Sequence, residues 1–212
     1  TVIRETINRA FNTDSRSLRP LTGRTVLDVG CGGGLVTEPL ARLGGTVMGI
    51  DPGHETVQVA ATHAGAVGLD IAYRAATADE IAAEGRTFDL VTCLEVLEHV
   101  PEPEALVGTL ASLVAPGGCL ILSTINRTAK SYALAIVGAE MVLRWLPRGT
   151  HDWNRFIAPE ELANWVEGAG LAILDRTGTV FDPLSGTWAV SHSDLDVNYM
   201  VAAISPPGKP HM

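Results

Sequence analysis

The feature that most constrains this chain is the stretch from Thr25 to Gly34 (TVLDVGCGGG), in which a short apolar run ends in a cluster of glycines. An apolar, β-branched run followed by glycines and a helix-like segment predicts a strand that turns sharply into a helix. Gly30 and Gly32 let the backbone approach a ligand closely, and amides at the helix start can donate to it. The stretch therefore predicts a loop for a nucleotide-like cofactor. The alternative is a tight turn without a ligand.

The spacing of the glycines narrows the class of cofactor. A dinucleotide loop has the pattern G-x-G-x-x-G, but here Leu35 occupies the sixth position, and Asp28 stands two positions before the first glycine. This spacing argues against NAD. No Lys-Ser or Lys-Thr pair follows the glycines, so a phosphate-binding P-loop is excluded as well.

Composition limits the remaining classes of protein. The chain has 212 residues, of which 46% are hydrophobic, enough to bury one sizeable core. Its net charge of −9 argues against nucleic-acid binding. Cys31, Cys93 and Cys119 lack the spacing of a zinc site or a disulfide framework, so we expect buried thiols in a reducing compartment. No signal peptide or membrane-spanning run is recognisable, and the start at Thr1 suggests a missing upstream piece.

Strand-like and helix-like segments alternate along the chain after a lead-in helix within the first 21 residues. Seven strands are predicted, at 25–29, 46–50, 69–73, 88–93, 119–124, 171–179 and 197–204. Repeated strand–helix units with continuous apolar strands predict an α/β, Rossmann-like domain, with a mostly parallel seven-stranded sheet covered by helices on both faces. We expect one domain over 1–204, a disordered tail over 205–212, and ligands at the carboxyl ends of the strands.

Two polar positions follow the second and third predicted strands. Asp51 ends the second strand, where an acid can accept hydrogen bonds from both hydroxyls of a ribose. The alternative is a turn residue in Asp-Pro-Gly, but the glycine loop favours the ribose role. The stretch from Thr77 to Glu80 lies where an adenine edge would lie, and a helix cap explains it equally well.

The segment from Leu94 to His99 follows the fourth predicted strand and holds two acids and a histidine. If it turns helically, Glu95, Glu98 and His99 share one face. Two carboxylates and one imidazole suit Mg²⁺ or Mn²⁺ better than a closed zinc site. The alternative is a solvated acidic turn without a metal. The position at the ligand edge of the sheet favours the metal.

An insertion at about 127–156 interrupts the strand–helix alternation. Its core, 131–146, is apolar nearly all the way round a helix, and the segment 127–148 carries four cations and one acid, a charge of +3. This pattern favours contact with an anionic membrane surface or a lipid substrate; the alternative is a helix in the core or in a dimer interface. The next residues, His151 and Asp152, can supply a proton acceptor or form an ordinary loop.

Taken together, these stretches resemble the ubiquinone-biosynthesis O-methyltransferases, bacterial enzymes that methylate catechol-type polyprenyl intermediates. The resemblance covers nearly the whole chain. The matching stretches are DVGCGGG, GIDP, FDLVTCLEVLEHV, APGG, STINRT, AIVGAE, LPRGTHDW and DVNYM. The first and third occur in many methyltransferases, whereas the region from GAE to GTHD and the late DVNYM are specific to this family.

The resemblance implies a class I methyltransferase fold that binds S-adenosylmethionine (SAM). Gly30, Asp51 and Leu94 match the family's SAM-binding positions, and Gly32 belongs to the same loop. There is one departure. The family has an upstream segment with an Arg that contacts the cofactor, and the present sequence begins just after that position.

The resemblance also implies a substrate, a metal and a location. The expected substrates are 2-polyprenyl-6-hydroxyphenol and 3-demethylubiquinol. Glu95, Glu98 and His99 match a divalent-metal site described for eukaryotic members, for Mg²⁺ or another cation. His99 or His151 is expected to accept the proton. The segment 127–148 matches a membrane-associating region, so we expect a cytoplasmic protein held peripherally at the inner membrane, with a biosynthetic complex as a possible partner.

Two other functions fit the same residues. The chain can be a SAM-dependent O-methyltransferase of a soluble phenol. It can also be a SAM-binding member of a membrane-bound complex that performs no catalysis.

Overall fold

A computed structural model of the chain describes residues 2–131, 152–182 and 187–208. The helices are α1 Val2–Phe11, α2 Thr37–Arg42, α3 His54–Ala66, α4 Ala78–Ala83, α5 Pro103–Ser112, α6 Ala129–Ser131 and α7 Pro159–Gly168. The strands are β1 Thr25–Val29, β2 Thr46–Asp51, β3 Ala72–Ala75, β4 Phe88–Leu94, β5 Val114–Ile125, β6 Ala172–Asp182, β7 Thr187–Ser191 and β8 Asn198–Ile204. Short 3-10 turns lie at Leu97–His99 and Trp153–Arg155.

The described strands form one mixed sheet in the order β3-β2-β1-β4-β5-β8-β6-β7. Strands β1 to β5 are parallel, whereas β8 runs antiparallel between β5 and β6, and β7 is antiparallel to β6. The predicted α/β, mostly parallel architecture is confirmed. The described sheet has eight strands where seven were expected, because the five-residue β7 extends the sheet as a hairpin with β6.

The core has two halves, one on each face of the sheet. Alternate residues of β5 point to opposite faces, so Leu120 and Leu122 belong to one cluster and Cys119 and Ile121 to the other. The first cluster includes residues of α5 and α7, and we call that side the α5 face. The second includes Ile7 of α1, and we call that side the α1 face. Both faces are apolar because helices cover both, as a parallel sheet requires.

Local sequence signals account for several helix starts. Thr77 caps α4, since its hydroxyl accepts from the Glu80 amide at 3.3 Å and the Glu80 carboxylate accepts from the Thr77 amide at 2.7 Å. Helices α5 and α7 each begin with a proline, whose missing N–H is tolerated in a first turn. The helix-cap explanation of Thr77 to Glu80 is therefore realised in the structure.

Two predicted features fall partly outside the described residues. The apolar core of the insertion and His151 lie there, as do 209–212 of the predicted disordered tail. The first tail residues are hydrogen bonded: the Ser205 amide donates to Gly118, and the Gly117 amide donates to Pro206. Among the described residues, no helix is long and apolar enough to cross a membrane.

Candidate active site

The glycine loop follows β1 and has a backbone conformation that favours glycine. Gly30, Gly32 and Gly34 have φ of 72°, 51° and 88°, in the left-handed region. The amides of Gly30 and Cys31 both donate to the Ile50 carbonyl of β2, at 2.8 and 2.9 Å. These bonds attach the loop to the carboxyl ends of β1 and β2, where the sequence predicted the ligand.

The glycines of the loop differ in what surrounds them. A Cβ at Gly30 would lie 2.3 Å from Cγ2 of Val96, and one at Gly34 would lie 2.5 Å from the Tyr73 hydroxyl. A Cβ on Gly32 or on the adjacent Gly33 would meet no heavy atom within 4 Å. The close approach predicted at Gly30 is therefore made to Val96 of the same chain. The open side of the loop lies at Gly32 and Gly33.

Asp51 connects this loop to the end of β2. Its Oδ2 accepts from the Gly32 amide at 3.2 Å, and its Oδ1 accepts from the Gly53 amide at 2.8 Å. The bond to Gly53 is the turn interaction that was the alternative to the ribose role. A carboxylate can accept about four hydrogen bonds, so the turn contact is compatible with ribose binding.

The loop offers a cradle that fits a polar nucleoside ligand. Among the described residues, the amides of Gly33, Leu35 and Val36 donate no hydrogen bond. The Leu35 side chain is 89% exposed at the rim of the loop. Leu94 ends β4 and directly follows Cys93, which pairs with Val29, so it lies level with Gly30. Amide donors, open space and Asp51 thus lie together at one edge of the sheet.

Asp28 is a buried carboxyl below the loop, 3% exposed. The Thr37 hydroxyl donates to its Oδ2 at 2.6 Å and the Thr92 hydroxyl to its Oδ1 at 2.7 Å. Burial raises the pKa of Asp28, and the two hydroxyl donors partly oppose that shift. The residue links β1, α2 and β4 beneath the binding edge.

The three cysteines lie in the glycine loop and in the neighbouring strands β4 and β5. Cys31, Cys93 and Cys119 are buried and free, as the sequence predicted. Burial raises the pKa of the Cys31 thiol to about 12, and the Asp28 and Asp51 carboxylates add to the shift. Burial raises the pKa of Cys93 and Cys119 as well. These thiols are protonated near neutral pH and therefore poor nucleophiles.

The segment after β4 does not turn helically as predicted. Glu95 has φ of 55°, a left-handed conformation that costs a non-glycine residue about 1–2 kcal/mol. Its Oε1 accepts from the Ser123 hydroxyl at 2.7 Å and its Oε2 from the Asn198 amide group at 3.1 Å. The side chain is exposed at the carboxyl edge of the sheet.

Glu98 lies in a different environment, 4% exposed. Its Oε2 accepts from the Thr124 hydroxyl at 2.8 Å. Ser123 and Thr124 are successive residues of β5, so their side chains point to opposite faces of the sheet. The Glu95 carboxylate is therefore held on the α1 face and the Glu98 carboxylate on the α5 face.

The predicted divalent-metal site is not formed in the described structure. It required one helical face, but the left-handed backbone at Glu95 and the 3-10 turn Leu97–His99 separate the three side chains. Among the described residues, no group of three His, Cys, Asp or Glu side chains is placed to hold a metal ion. The residues as arranged do not fit Mg²⁺.

Of the two histidines predicted to accept the proton, the structure describes one. His99 is exposed on the 3-10 turn after β4, and its carbonyl accepts a hydrogen bond from the Arg155 guanidinium at 3.4 Å. His151 lies outside the described residues. Sequence reasoning missed Ser123, Thr124 and Asn198, whose contacts depend on which strands pair. The signal available was a pair of polar residues near the end of apolar β5 and one polar residue at the start of apolar β8.

The described part of the insertion makes ion pairs with the body of the domain. Arg127 pairs with Glu161 of α7. The Lys130 ammonium lies 2.8 Å from Asp194 and 3.2 Å from Asp196, and these contacts raise the pKa of Lys130. Two of the four predicted membrane-facing cations are thus paired within the protein.

The strand order β3-β2-β1-β4-β5, the glycine loop and the acid ending β2 define a class I SAM-dependent methyltransferase fold. Residues 1–176 match the family model described as a methyltransferase domain. More narrowly, the chain belongs to the ubiquinone biosynthesis O-methyltransferase family. It is 50% identical over 206 residues to the ubiquinone biosynthesis O-methyltransferase of Methylobacterium nodulans, covering 97% of this chain and 82% of that protein. It is 51% identical over 203 residues to the protein of that name from Rhizobium leguminosarum bv. trifolii, covering 96% and 80%.

Solved structures share the fold at lower identity. Magnesium protoporphyrin IX methyltransferase from Synechocystis PCC 6803, with bound SAH, has a TM-score of 0.66 and 24% identity, covering 96% of this chain and 83% of that chain. The [4+2]-cyclase SpnF has a TM-score of 0.67 and 17% identity, covering 98% and 82%. A cyclase among these neighbours shows that the fold alone does not specify methyl transfer.

Proposed function

We propose that this protein transfers the methyl group of SAM to a hydroxyl of catechol-type polyprenylated intermediates in ubiquinone biosynthesis. The expected substrates are 2-polyprenyl-6-hydroxyphenol and 3-demethylubiquinol. The observation that carries the proposal is the identity of about half of all residues, over nearly the whole chain, with proteins named ubiquinone biosynthesis O-methyltransferase. The arrangement at the ends of β1 and β2 supports the cofactor half of the proposal.

Four residues form the cofactor half of the proposed site: Gly30, Gly32, Asp51 and Leu94. The loop at Gly30 and Gly32 brings backbone amides to the ligand, and Asp51 accepts hydrogen bonds from the ribose hydroxyls. Leu94 forms the apolar wall at the end of β4. SAM supplies an activated methyl group on a sulfonium. The task of the protein is to hold the acceptor oxygen in line with that methyl.

The proton of the attacked hydroxyl needs an acceptor, and His99 and His151 are the two proposed. His99 stands on the turn after Leu94, at the carboxyl edge of β4. Replacing each histidine with Gln and comparing the rates of methyl transfer and their pH profiles distinguishes them, since only loss of the acceptor changes the profile. If neither variant changes the profile, both assignments are wrong.

A divalent cation remains a prediction from the sequence pattern and from the resemblance. The separate positions of Glu95 and Glu98 do not fit a shared metal, so no step of the proposed reaction is assigned to one. Methyl transfer measured with a chelator and then with added Mg²⁺ tests the prediction. Activity lost with chelator and restored by Mg²⁺ would require the two carboxylates to rearrange.

We further propose that the segment 127–148 holds a cytoplasmic protein at the inner membrane, where a polyprenyl tail is available, with a biosynthetic complex as a possible partner. Its apolar core and basic flanks support this location. Because Arg127 and Lys130 are paired internally, Arg144 and Arg148 would supply most of the attraction to anionic lipid. Flotation with anionic vesicles, for wild type and for a variant with Asp at Ile136 and Val142, tests this location. Unchanged binding would contradict it.

The experiment that tests the function is methylation of a short-chain prenyl catechol, followed by mass of the product. We expect transfer by the wild type, and for Asp51→Ala a KM for SAM raised about tenfold or more, as loss of charged hydrogen bonds predicts. Transfer to soluble phenols alone would favour the soluble-substrate alternative. Calorimetric binding of S-adenosylhomocysteine without transfer would favour the non-catalytic alternative, and no binding would contradict all three.

A further inference from the structure

Tyr73, on the edge strand β3, reaches across β2 toward the glycine loop. Gly49 of β2 stands directly opposite Tyr73 in the strand register. A Cβ on Gly49 would lie 2.8 Å from Cε1 of the Tyr73 ring and 2.9 Å from its Cδ1. Gly49 does not have a positive φ, so its backbone conformation does not require glycine. Glycine at this position therefore makes room for the ring.

The hydroxyl end of the same side chain packs against Gly34 of the loop. A Cβ on Gly34 would lie 2.5 Å from the Tyr73 hydroxyl oxygen and 3.5 Å from its Cζ. The hydroxyl oxygen is buried, and no hydrogen-bond partner reaches it among the described residues. The interaction of this hydroxyl with Gly34 is therefore one of packing.

Gly34 joins the glycine loop to α2. Its amide donates to the Cys31 carbonyl at 2.9 Å and so closes the turn that contains the open side of the loop. Its carbonyl accepts from the Glu38 amide at 3.1 Å in the first turn of α2. A glycine has wide conformational freedom, and a side chain packed against it limits that freedom. Tyr73 thus contacts the residue that sets the direction of both the loop and the helix.

Resting on the cofactor half of the proposed function, we propose that Tyr73 is a positioning residue for SAM, because it holds Gly34, and with it the glycine loop, in the arrangement that binds the cofactor. Gly49 and Gly34 admit the side chain, one under the ring and the other beyond the hydroxyl. Tyr73 need not contact the ligand in this role. Removing the side chain lowers the fraction of molecules whose loop is ready to bind, and the observed affinity falls by the same factor.

The test compares Tyr73→Phe and Tyr73→Ala with wild type by calorimetry with S-adenosylhomocysteine. We expect the Kd to rise about threefold for Tyr73→Phe, which keeps the ring, and about tenfold or more for Tyr73→Ala. In the methyl-transfer assay the KM for SAM should rise by similar factors, with kcat and the KM for the catechol nearly unchanged. A general loss of stability would not divide the kinetic parameters in this way. Wild-type affinity in both variants would overturn the proposal.

Tyr199→Phe is the matched control for loss of a hydroxyl. The Tyr199 hydroxyl donates to the Ile157 carbonyl at 2.9 Å, and its strand β8 is separated from β1 by β4 and β5. We expect its Tm to fall by about 3 °C or more, with wild-type affinity for S-adenosylhomocysteine. Tyr73→Phe loses no hydrogen bond, so its Tm should stay within about 2 °C of wild type although its binding is weaker. Equal weakening of binding in the two variants would overturn the proposal, because the effect would not be specific to the loop.

A double-mutant cycle with Gly34→Ala tests the contact itself. In wild type the added Cβ meets the Tyr73 hydroxyl at 2.5 Å, whereas in Tyr73→Phe the first ring atom is Cζ at 3.5 Å, an ordinary contact. Gly34→Ala should therefore lower Tm and affinity less in the Tyr73→Phe chain than in wild type. Gly32→Ala also has a positive φ in the same loop, but its Cβ meets no heavy atom within 4 Å, so its effects should be equal in both chains. Equal effects of Gly34→Ala in the two chains would overturn the contact.

Binding of S-adenosylhomocysteine does not involve the methyl acceptor, so this inference and the proposed function can fail separately. A wild type that binds S-adenosylhomocysteine but methylates no catechol would overturn the proposed function, while the affinities of the variants still decide the role of Tyr73. A wild type that does not bind S-adenosylhomocysteine would overturn both.

Discussion

The two halves of the binding edge are built in different ways. At the ends of β1 and β2 the proposed ligand surface is backbone: a loop of glycines with left-handed φ, attached by its amides to the Ile50 carbonyl and by Gly32 to Asp51. Beyond the ends of β4 and β5 and before the start of β8, this edge is built from side chains: the exposed Glu95 and the buried Glu98 accept hydrogen bonds from hydroxyl and amide groups of distant strands. The first half depends on the backbone conformation of the glycine loop. The second depends on which strands pair, because that pairing brings the donors to the carboxylates.

This difference determines how each half responds to substitution. A backbone cradle is sensitive to any added Cβ where φ is positive or space is filled, whatever the chemistry of the side chain. A side-chain cluster is sensitive to loss of a donor, and more so where the carboxylate is buried than where it is exposed. The two halves approach each other at Gly30 and Val96.

The largest expected effect is at that contact. Gly30→Ala should lower the free energy of unfolding by about 3 kcal/mol, combining left-handed strain with overpacking of a Cβ 2.3 Å from Val96 Cγ2. Urea unfolding measures the change, and Val96→Ala in the same chain should recover the overpacking part through a double-mutant cycle. An additive pair would show that the two halves are not in steric contact.

The second largest expected effect is the loss of stability when a hydroxyl donor is removed from β5, and it should differ between the two faces of the sheet. Thr124→Val removes a donor to the buried Glu98 carboxylate and should lower the free energy of unfolding by about 2 kcal/mol. Ser123→Ala, beside the exposed Glu95, should cost less than about 1 kcal/mol. Thr62→Val on α3 is the exposed control for the Thr-to-Val change. Equal costs on the two faces would contradict the separation of the carboxylates.

The sequence predicted the backbone half well because its signals are contiguous. The strand, glycines and Asp51 could be read from local order, and β1 begins and ends where predicted. The prediction from the sequence was wrong where neighbouring residues suggested a regular element that the backbone does not form. Leu69 was assigned to β3, but its amide closes α3 by donating to Ala64, so the strand begins at Ala72. The i, i+3, i+4 spacing at Glu95 predicted a shared face, and the left-handed backbone there removes it.

A third prediction concerns pH and Asp28, which lies beneath both halves. Burial raises the pKa of Asp28 in the folded state. Between the ordinary carboxyl pKa and this raised value, the Asp28 carboxyl has lost its proton in the unfolded chain but keeps it in the folded chain. The contribution of Asp28 to the free energy of unfolding therefore falls as pH rises through this range. Asp28→Asn keeps the shape and removes the ionisation. Urea unfolding across that range should show the variant gaining stability relative to wild type as pH rises.

The control for this pH series is Asp14→Asn, an exposed loop position. This variant also replaces one Asp with Asn, so it controls for the change in net charge at a position that is not buried. A difference between Asp28→Asn and wild type that is constant with pH would show that the Asp28 carboxyl ionises alike in the folded and unfolded chains.

The smallest expected change in stability is at Gly33, and it tests the cradle most directly. Gly33 lies outside the left-handed region, and an added Cβ would meet nothing within 4 Å, so Gly33→Ala should change the free energy of unfolding by less than about 0.5 kcal/mol. Gly32 has the same open space but a φ of 51°, so Gly32→Ala should lower the free energy of unfolding by about 1 kcal/mol. Both methyl groups would occupy the ligand's side of the loop. Calorimetry with S-adenosylhomocysteine should therefore show weaker binding for both variants, although only Gly32→Ala is destabilised. Wild-type affinity in Gly33→Ala would place the ligand elsewhere, because a stable loop with a filled cradle cannot bind as before.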